Sequence, residues 1–162
     1  MGKLRWKALV GVALALVFLT APLSALAAAK TVNILKVSAD GARLRDAATA
    51  GEVLTTLAKG TKVFYLGRSG GMAYVCTERG VKGYVYAGYL EAYGAVRLAN
   101  IYYVKSTSLA VYQSASASSK RLGSIPKNGY ILLYKADGNW GYIKTLSGRA
   151  GYVLLSGLKK AA

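Results

Sequence analysis

The stretch "GVKGYVYAGYL" (residues 80–90) returns 68 residues later as "GRAGYVLLSGL" (148–158). Five of the eleven positions are identical, where unrelated sequence would give roughly one match. The same offset places "MAYV" (72–75) on "WGYI" (140–143). Because self-similarity at a fixed spacing indicates a duplicated structural unit, we predict two copies of one fold, each about 60 residues long.

The first 29 residues have the order of a secretory signal peptide. A basic leader precedes an apolar run and a small-residue segment: Lys3, Arg5, Lys7, 8–19 and 24–29. We predict cleavage after Ala27 or Ala29 and an exported protein, secreted or held in the cell envelope. An uncleaved membrane anchor is the alternative, although the apolar run is shorter than the roughly 20 residues that span a bilayer.

Positive charge dominates the chain, with 22 lysine and arginine residues against 6 acidic ones and a formal net charge of +16. Residues 97–160 hold ten basic residues and one acidic residue, whereas residues 31–92 hold eight and five. Outside the cell, such a surface attracts anionic polymers such as teichoic acid or lipopolysaccharide. The predicted polyanion contact therefore lies in the second copy: Lys120, Arg121, Lys127, Lys135, Lys144 and Arg149. A diffuse charge that only keeps the protein soluble is the alternative.

The chain has no histidine and one cysteine, Cys76. The lack of histidine excludes Ser–His–Asp and Cys–His catalysis and most zinc sites. The six carboxylates are scattered singly, and the sequence has no glycine-rich phosphate loop. We therefore expect a protein that is not an enzyme, has no catalytic residues and needs no metal or cofactor. Cys76 aligns with Lys144 of the second copy, which predicts a solvent-exposed thiol.

The fold class predicted after residue 30 is all-β. Short runs rich in Val, Ile, Leu and Tyr alternate with breaks that carry Gly, Asn, Asp or Ser, as in small barrels. In the first copy the predicted strands are 32–37, 42–45, 53–57, 61–67, 72–78 and 81–86. In the second they are 101–106, 109–112, 121–125, 130–136, 140–146 and 149–154. The predicted domains are 30–92 and 97–160, with residues 91–100 as a short joint.

The ordered set of motifs resembles a known family. "ARLRDAATAGEVLTTLAKGTKVFYLG" (42–67) followed by "MAYVCTERGVKGYVYAGYL" (72–90) is similar to the bacterial Src homology 3 domain, SH3b. The second copy, "LAVYQSASASSKRLGSIPKNGYILLYKADGNWGYIKTLSGRAGYVLLSGL" (109–158), resembles it too. The resemblance implies two small SH3-like β-barrels in tandem, and non-catalytic modules of exported, wall-associated proteins.

The resemblance also implies a ligand groove edged by aromatic side chains. The positions that carry it, or share its face, are Met72, Tyr74, Tyr86, Tyr89, Tyr112, Trp140 and Tyr142. Each groove departs from the family pattern, since Met72 stands where an aromatic residue is usual, and Leu154 and Gly157 stand where the second copy would have tyrosines. The alternative is that these rings only cover a small core. Tyr84 and Tyr152 are expected to be mostly buried.

Two functions follow as expectations. The first is a cell-envelope binding module that recognises peptidoglycan or its peptide cross-bridges. The second is a basic adaptor that binds anionic polymers, or an envelope protein, through charge. We do not expect nucleic acid as a partner.

Overall fold

The computed structural model of the protein describes residues 30–161. The predicted signal peptide, residues 1–29, lies outside this range. The first copy contains seven strands: β1 (Thr31–Val37), β2 (Ala42–Arg45), β3 (Val53–Leu57), β4 (Lys62–Ser69), β5 (Met72–Thr77), β6 (Lys82–Tyr86) and β7 (Leu90–Arg97). The second contains β8 (Ile101–Val104), β9 (Ser108–Tyr112), β10 (Arg121–Pro126), β11 (Tyr130–Asp137), β12 (Trp140–Lys144), β13 (Ala150–Leu154) and β14 (Leu158–Lys160).

Each copy forms one antiparallel sheet, and the two sheets have the same topology. The strand order is β3-β2-β6-β5-β4-β1-β7 in the first and β10-β9-β13-β12-β11-β8-β14 in the second. Between the strands there are three short 3₁₀ turns: Ala87–Tyr89, Leu98–Asn100 and Leu155–Gly157. The all-β class is confirmed. No helix in the described range is long and apolar enough to cross a membrane.

Strands β7 and β14, which lie at one edge of each sheet, were not predicted from the sequence. The predicted joint, 91–100, is largely β7, which pairs with β1 from Thr31↔Arg97 to Val37↔Leu90. Its side chains are mostly exposed, so it carries no buried-face alternation for a sequence pattern to detect. The first sheet therefore extends past residue 92 to Arg97.

The repeated Gly-Tyr-Val motif has a physical explanation in both copies. A β-carbon at Gly83 would collide with the carbonyl oxygen of Arg45 on β2, and one at Gly151 would meet the side chain of Val111 on β9 at 2.6 Å. The glycine therefore lets two strands approach closely. The valine two residues on, Val85 or Val153, is fully buried, because alternate side chains of a strand point to opposite faces.

Each copy has its own apolar core. The first consists of Val37, Ala42, Leu44, Leu57, Val63, Ala73, Val75 and Val85. The second consists of Val104, Leu109, Val111, Ile125, Ile131, Ile143, Val153 and Leu158.

A third buried cluster joins the two copies. We call it the junction cluster; it combines Ile34, Phe64 and Cys76 of the first copy with Ile101, Leu132 and Leu146 of the second. The ring of Tyr130 adds to it, with its centroid 5.9 Å from that of Phe64. The two barrels therefore share an apolar contact rather than being linked by a free segment.

Polar contacts flank the junction cluster and centre on Glu78. Its backbone carbonyl accepts a hydrogen bond from the N–H of Tyr130 at 2.7 Å. Its carboxylate accepts from the N–H of Ser147 at 2.6 Å and from the Ser147 hydroxyl at 3.0 Å. The guanidinium of Arg149 lies 3.5 Å from the same carboxylate.

The prediction that Cys76 is exposed is wrong. Cys76 and Lys144 do occupy equivalent places, since they pair with Phe64 and Leu132 respectively. Lys144 reaches solvent, but Cys76 is only 2% exposed because it packs in the junction cluster. Burial raises the pKa of its thiol to about 11. The thiol is therefore neutral and shielded, and it cannot readily form a disulfide between two molecules.

Candidate functional site

A row of aromatic and basic side chains crosses the outer face of the second sheet. Cross-strand pairing places one residue from each of five strands in line. We call this the copy-two row: Arg121, Tyr112, Tyr152, Tyr142 and Lys135. Paired residues of an antiparallel sheet project from the same face, so three tyrosines lie between two cations.

The rings of the copy-two row are in contact with one another and with Trp140. The centroids of Tyr142 and Tyr152 are 5.3 Å apart. Tyr112 meets Trp140 edge to face at 5.6 Å. All four rings are partly exposed. The structure thus brings together the three residues predicted as the ligand site of the second copy, Tyr112, Trp140 and Tyr142.

Tyr152 was expected to be mostly buried, and so was Tyr84 in the first copy. Both are only half-buried and lie on the outer face, next to Tyr142 and Tyr74. Sequence reasoning missed them as site residues. The signal was available, because each precedes a core valine and must therefore point away from the core.

The equivalent row of the first copy is less aromatic. Val53, Arg45, Tyr84, Tyr74 and Gly67 take the five positions. The rings of Tyr74 and Tyr84 stack at 4.9 Å. Arg45 stands where the second copy has Tyr112, and its guanidinium donates to the carbonyl oxygen of Gly51 at 2.7 Å.

The first copy has instead a cleft that we call the Tyr86 cleft. It has a volume of about 380 Å³ and is lined by Gly41, Arg43, Arg45, Met72, Tyr86 and Tyr89. Met72 pairs with Tyr86 across the strands, and Tyr86 meets Tyr89 edge to face at 5.2 Å. The predicted trio Met72, Tyr86 and Tyr89 therefore lies in one place, while Tyr74 belongs to the neighbouring row.

Arg43 and Arg45 are lining residues that the sequence analysis missed. They are two apart on β2 and so project from the same side of the strand. The alternation in "ARLR" (42–45), with Ala42 and Leu44 fully buried, is the signal that could have found them. Their charge makes this cleft a fit for an anionic group beside an aromatic wall.

The six predicted polyanion contacts do not form one patch. Arg121 and Lys135 end the copy-two row, with Lys120 next to Arg121 in the chain. Lys144 lies two residues from Tyr142 on β12, and its amine sits 5.3 Å from the ring centroid of Tyr134. Lys127 is in the turn between β10 and β11, and Arg149 is turned towards Glu78 at the junction.

The side chains of the copy-two row and of the Tyr86 cleft are suited to non-covalent contact with a ligand. Tyrosine and tryptophan faces pack against sugar rings and peptide backbones, and their polar ends stay hydrated. Flanking cations add charge-assisted hydrogen bonds to carboxylates or phosphates. In the stretch from 30 to 161, no group of three His, Cys, Asp or Glu side chains is placed to hold a metal ion.

Three of the solved structures with some likeness to the chain are NlpC or NlpC/P60 family proteins. NlpC2 from Trichomonas vaginalis shares 16% identity at a TM-score of 0.35, over 79% of this chain and 48% of its own. For NlpC1 from the same organism the values are 18%, 0.35, 87% and 50%. For an NlpC/P60 family protein from Bacillus cereus they are 11%, 0.34, 78% and 55%. The chain spans about half the length of these structures.

Among curated proteins, none matches the chain. Residues 40–91, which run from the turn before β2 into the start of β7, match the family model of the bacterial SH3 domain. The motifs quoted for the first copy, 42–67 and 72–90, lie entirely within this match. The resemblance to a bacterial SH3 domain is therefore confirmed for the first copy, and for the second copy it stays a prediction.

Proposed function

We propose that this protein is an exported, non-catalytic binding module of the cell envelope, and that it recognises peptidoglycan or its peptide cross-bridges. The observation that carries the proposal is the copy-two row, in which three tyrosines are aligned between Arg121 and Lys135. The bacterial SH3 match of residues 40–91 supports an envelope role.

The geometry fits a wall glycopeptide for two reasons. Partly exposed rings, with Trp140 edge-on to Tyr112, present apolar faces of the size that a sugar ring or an extended peptide covers. The cations at the ends of the row suit the carboxylates of wall peptides. In the first copy, the Tyr86 cleft offers the same combination through Arg43, Arg45 and two tyrosines.

A second function is favoured by the same cations. Arg121, Lys135 and Lys144 border the copy-two row, and the chain carries a net charge of +16. A basic adaptor that binds teichoic acid, lipopolysaccharide or an acidic envelope protein would use this charge without the rings. The two functions differ in their dependence on salt, because exposed charge pairs are screened beyond about 8 Å at physiological ionic strength.

The experiment is co-sedimentation of the protein with purified peptidoglycan, with and without attached teichoic acid, at low and high salt. Trp140→Ala should lower the affinity about thirtyfold at both salt concentrations, since truncation of a desolvated aromatic anchor costs about 2 kcal/mol. Tyr93→Ala is the matched control, because Tyr93 is an exposed aromatic residue on β7, outside both surfaces. If high salt abolishes wild-type binding and Trp140→Ala binds as well as the wild type at low salt, recognition through the aromatic rings is rejected. The basic adaptor is then the function.

Export is tested separately. The basic, apolar and small-residue order of residues 1–29 supports a mature protein that begins near Ala28 or Lys30 outside the cytoplasmic membrane. Amino-terminal sequencing of the protein from the medium or envelope fraction should find that terminus. Recovery of the intact leader from the cytosol alone would contradict the proposal.

A further inference from the structure

The two sheets end in edge strands of very different character. β3 and β10 are the outermost strands at equivalent positions, and each pairs with a single neighbour, β2 or β9. An edge strand offers unpaired backbone N–H and C=O groups along its free side, and proteins usually protect it with charge, proline or a bulge.

β10 carries all three protections and β3 lacks most of them. The sequence of β10, "RLGSIP" (121–126), contains Arg121, a register shift at Gly123 and Pro126. The sequence of β3, "VLTTL" (53–57), has no charge, proline or glycine. Its one register shift lies at the Val53 end, so that residues 55–57 keep regular pairing with β2.

A cleft runs beside β3, and it is much larger than its counterpart. The β3 cleft has a volume of about 670 Å³ and is lined by residues 54–58, Thr61 and Lys62, residues 77–79, Val81, and Ser147 and Arg149 of the second copy. Beside β10 the cleft measures only about 190 Å³. Ligand sites in proteins typically occupy about 300–1,000 Å³, so of the clefts beside β3 and β10 only the β3 cleft has the size for one.

The walls of the β3 cleft are apolar and cationic. Leu54 and Val81 line it and are 47% and 38% exposed, which is high for side chains of this kind. Lys62, Arg79 and Arg149 supply positive charge, while Glu78 is already bound by Ser147 and Arg149. Within residues 30–161, Arg79 forms no ion pair.

We propose that the β3 cleft binds an extended acidic peptide segment of another protein, which adds to the sheet as a strand beside β3. Backbone pairing would supply affinity, as in other cases of strand addition. Carboxylates of the segment would meet Arg79, and its apolar side chains would cover Leu54 and Val81. A second copy of this chain is a poor occupant, because residues 30–162 hold 19 basic and 6 acidic residues and two such molecules repel each other.

This site is distinct from the surfaces described above. The β3 cleft shares no lining residue with the Tyr86 cleft, and no member of the copy-two row lines it. The proposal therefore does not depend on peptidoglycan binding, and each function can fail without the other.

The test uses the full chain and a labelled ten-residue peptide of alternating glutamate and valine, followed by fluorescence anisotropy. The wild type should bind this peptide and should not bind the lysine–valine analogue. Arg79→Glu should weaken binding by about tenfold or more, because it places a negative charge among the carboxylates. Arg97→Glu is the matched control, since Arg97 is exposed on β7 outside the cleft and gives the same change in net charge.

The backbone requirement is tested with a glutamate–valine peptide that is N-methylated at alternate residues, which removes the donors along one edge. We expect this peptide to lose binding to the wild type. The proposal is overturned if the wild type does not bind the unmodified peptide, or if the N-methylated peptide binds as well. Equal losses in Arg79→Glu and Arg97→Glu would show general charge attraction and would also overturn it. A dimer in sedimentation that excludes the peptide would make a second copy the occupant instead.

Discussion

The two copies place the same strands in the same order, yet they use their outer faces differently. Where the first copy has Arg45, the second has Tyr112, and where the first has Gly67, the second has Lys135. The inward-facing residues change only among apolar side chains. The same fold is therefore built on two similar cores, and the two copies differ mainly in the side chains of their outer faces.

The largest expected effect concerns the junction, where the copies depend on each other. Phe64→Ala should lower the free energy of unfolding by about 3–5 kcal/mol, and Leu132→Ala, at the equivalent position of the second copy, by about 2–5 kcal/mol. Both side chains are almost fully buried in the junction cluster. Urea denaturation of the full chain measures both values.

The double variant of Phe64→Ala and Leu132→Ala tests whether the stabilities of the two copies are coupled. Residues of one packed cluster show coupling energies of about 0.5–3 kcal/mol, whereas independent sites add. We therefore expect the double variant to differ from the sum of the single ones. Strict additivity, or two separate unfolding transitions in the wild type, would show that the copies are independent domains.

The next effect concerns the ionisation of Cys76, which is buried where its counterpart Lys144 is exposed. Because burial raises the thiol pKa to about 11 from its ordinary value of 9.0, the folded protein favours the neutral thiol. The stability that the buried neutral thiol contributes is complete below pH 9 and is lost as the pH rises through 11. By pH 11 the wild type should lose about 2 kcal/mol more than Cys76→Ala.

Thermal melts of the two proteins between pH 8 and 11 measure this difference. The pKa of Tyr130 is also raised, first by burial and then by the nearby Cys76 thiol. Because Tyr130 is present in both proteins, the difference between the wild type and Cys76→Ala reports on the thiol. Parallel curves for the two proteins, together with fast reaction of Cys76 with a thiol reagent at pH 8, would show that the thiol is exposed.

The smallest effect compares two carboxylates of the first copy. Glu78→Ala removes the hydrogen bonds to the N–H and hydroxyl of Ser147 and should cost about 1–2 kcal/mol. Glu91→Ala removes the exposed ion pair with Lys36 and should cost less than Glu78→Ala, because solvent screens the two charges. Denaturant midpoints of the two variants give the ranking, and a larger loss in Glu91→Ala would contradict the role assigned to Glu78.

Much of the fold could be predicted because the chain repeats itself. Alternation of apolar residues located twelve strands, and the repeated Gly-Tyr-Val motif fixed the correspondence of the copies. Strands β7 and β14 could not be found this way. β7 exposes most of its side chains, and β14 has three residues, so their place in the sheet depends on pairing with β1 and β8.

The candidate site could be predicted in part, for a physical reason. The resemblance to SH3b, with the positions that share its groove face, indicated Tyr112, Trp140 and Tyr142, but the row that includes Tyr152, Arg121 and Lys135 requires the cross-strand register. The error at Cys76 has a related origin. Equivalence to Lys144 is a property of one barrel, whereas its burial comes from contact between two barrels.

Backbone hydrogen bonds hold the first and last described residues next to residues 98–101, which connect the two sheets. The carbonyl oxygen of Lys30 accepts from the N–H of Leu98 at 2.8 Å, and the N–H of Ala161 donates to the carbonyl oxygen of Ile101 at 2.9 Å. Both ends of the described chain are thus held beside the segment that connects the two sheets. A pull applied at Lys30 and Ala161 would load the pairing of β1 with β7 and of β14 with β8, which lies within each sheet, before it reached the junction cluster.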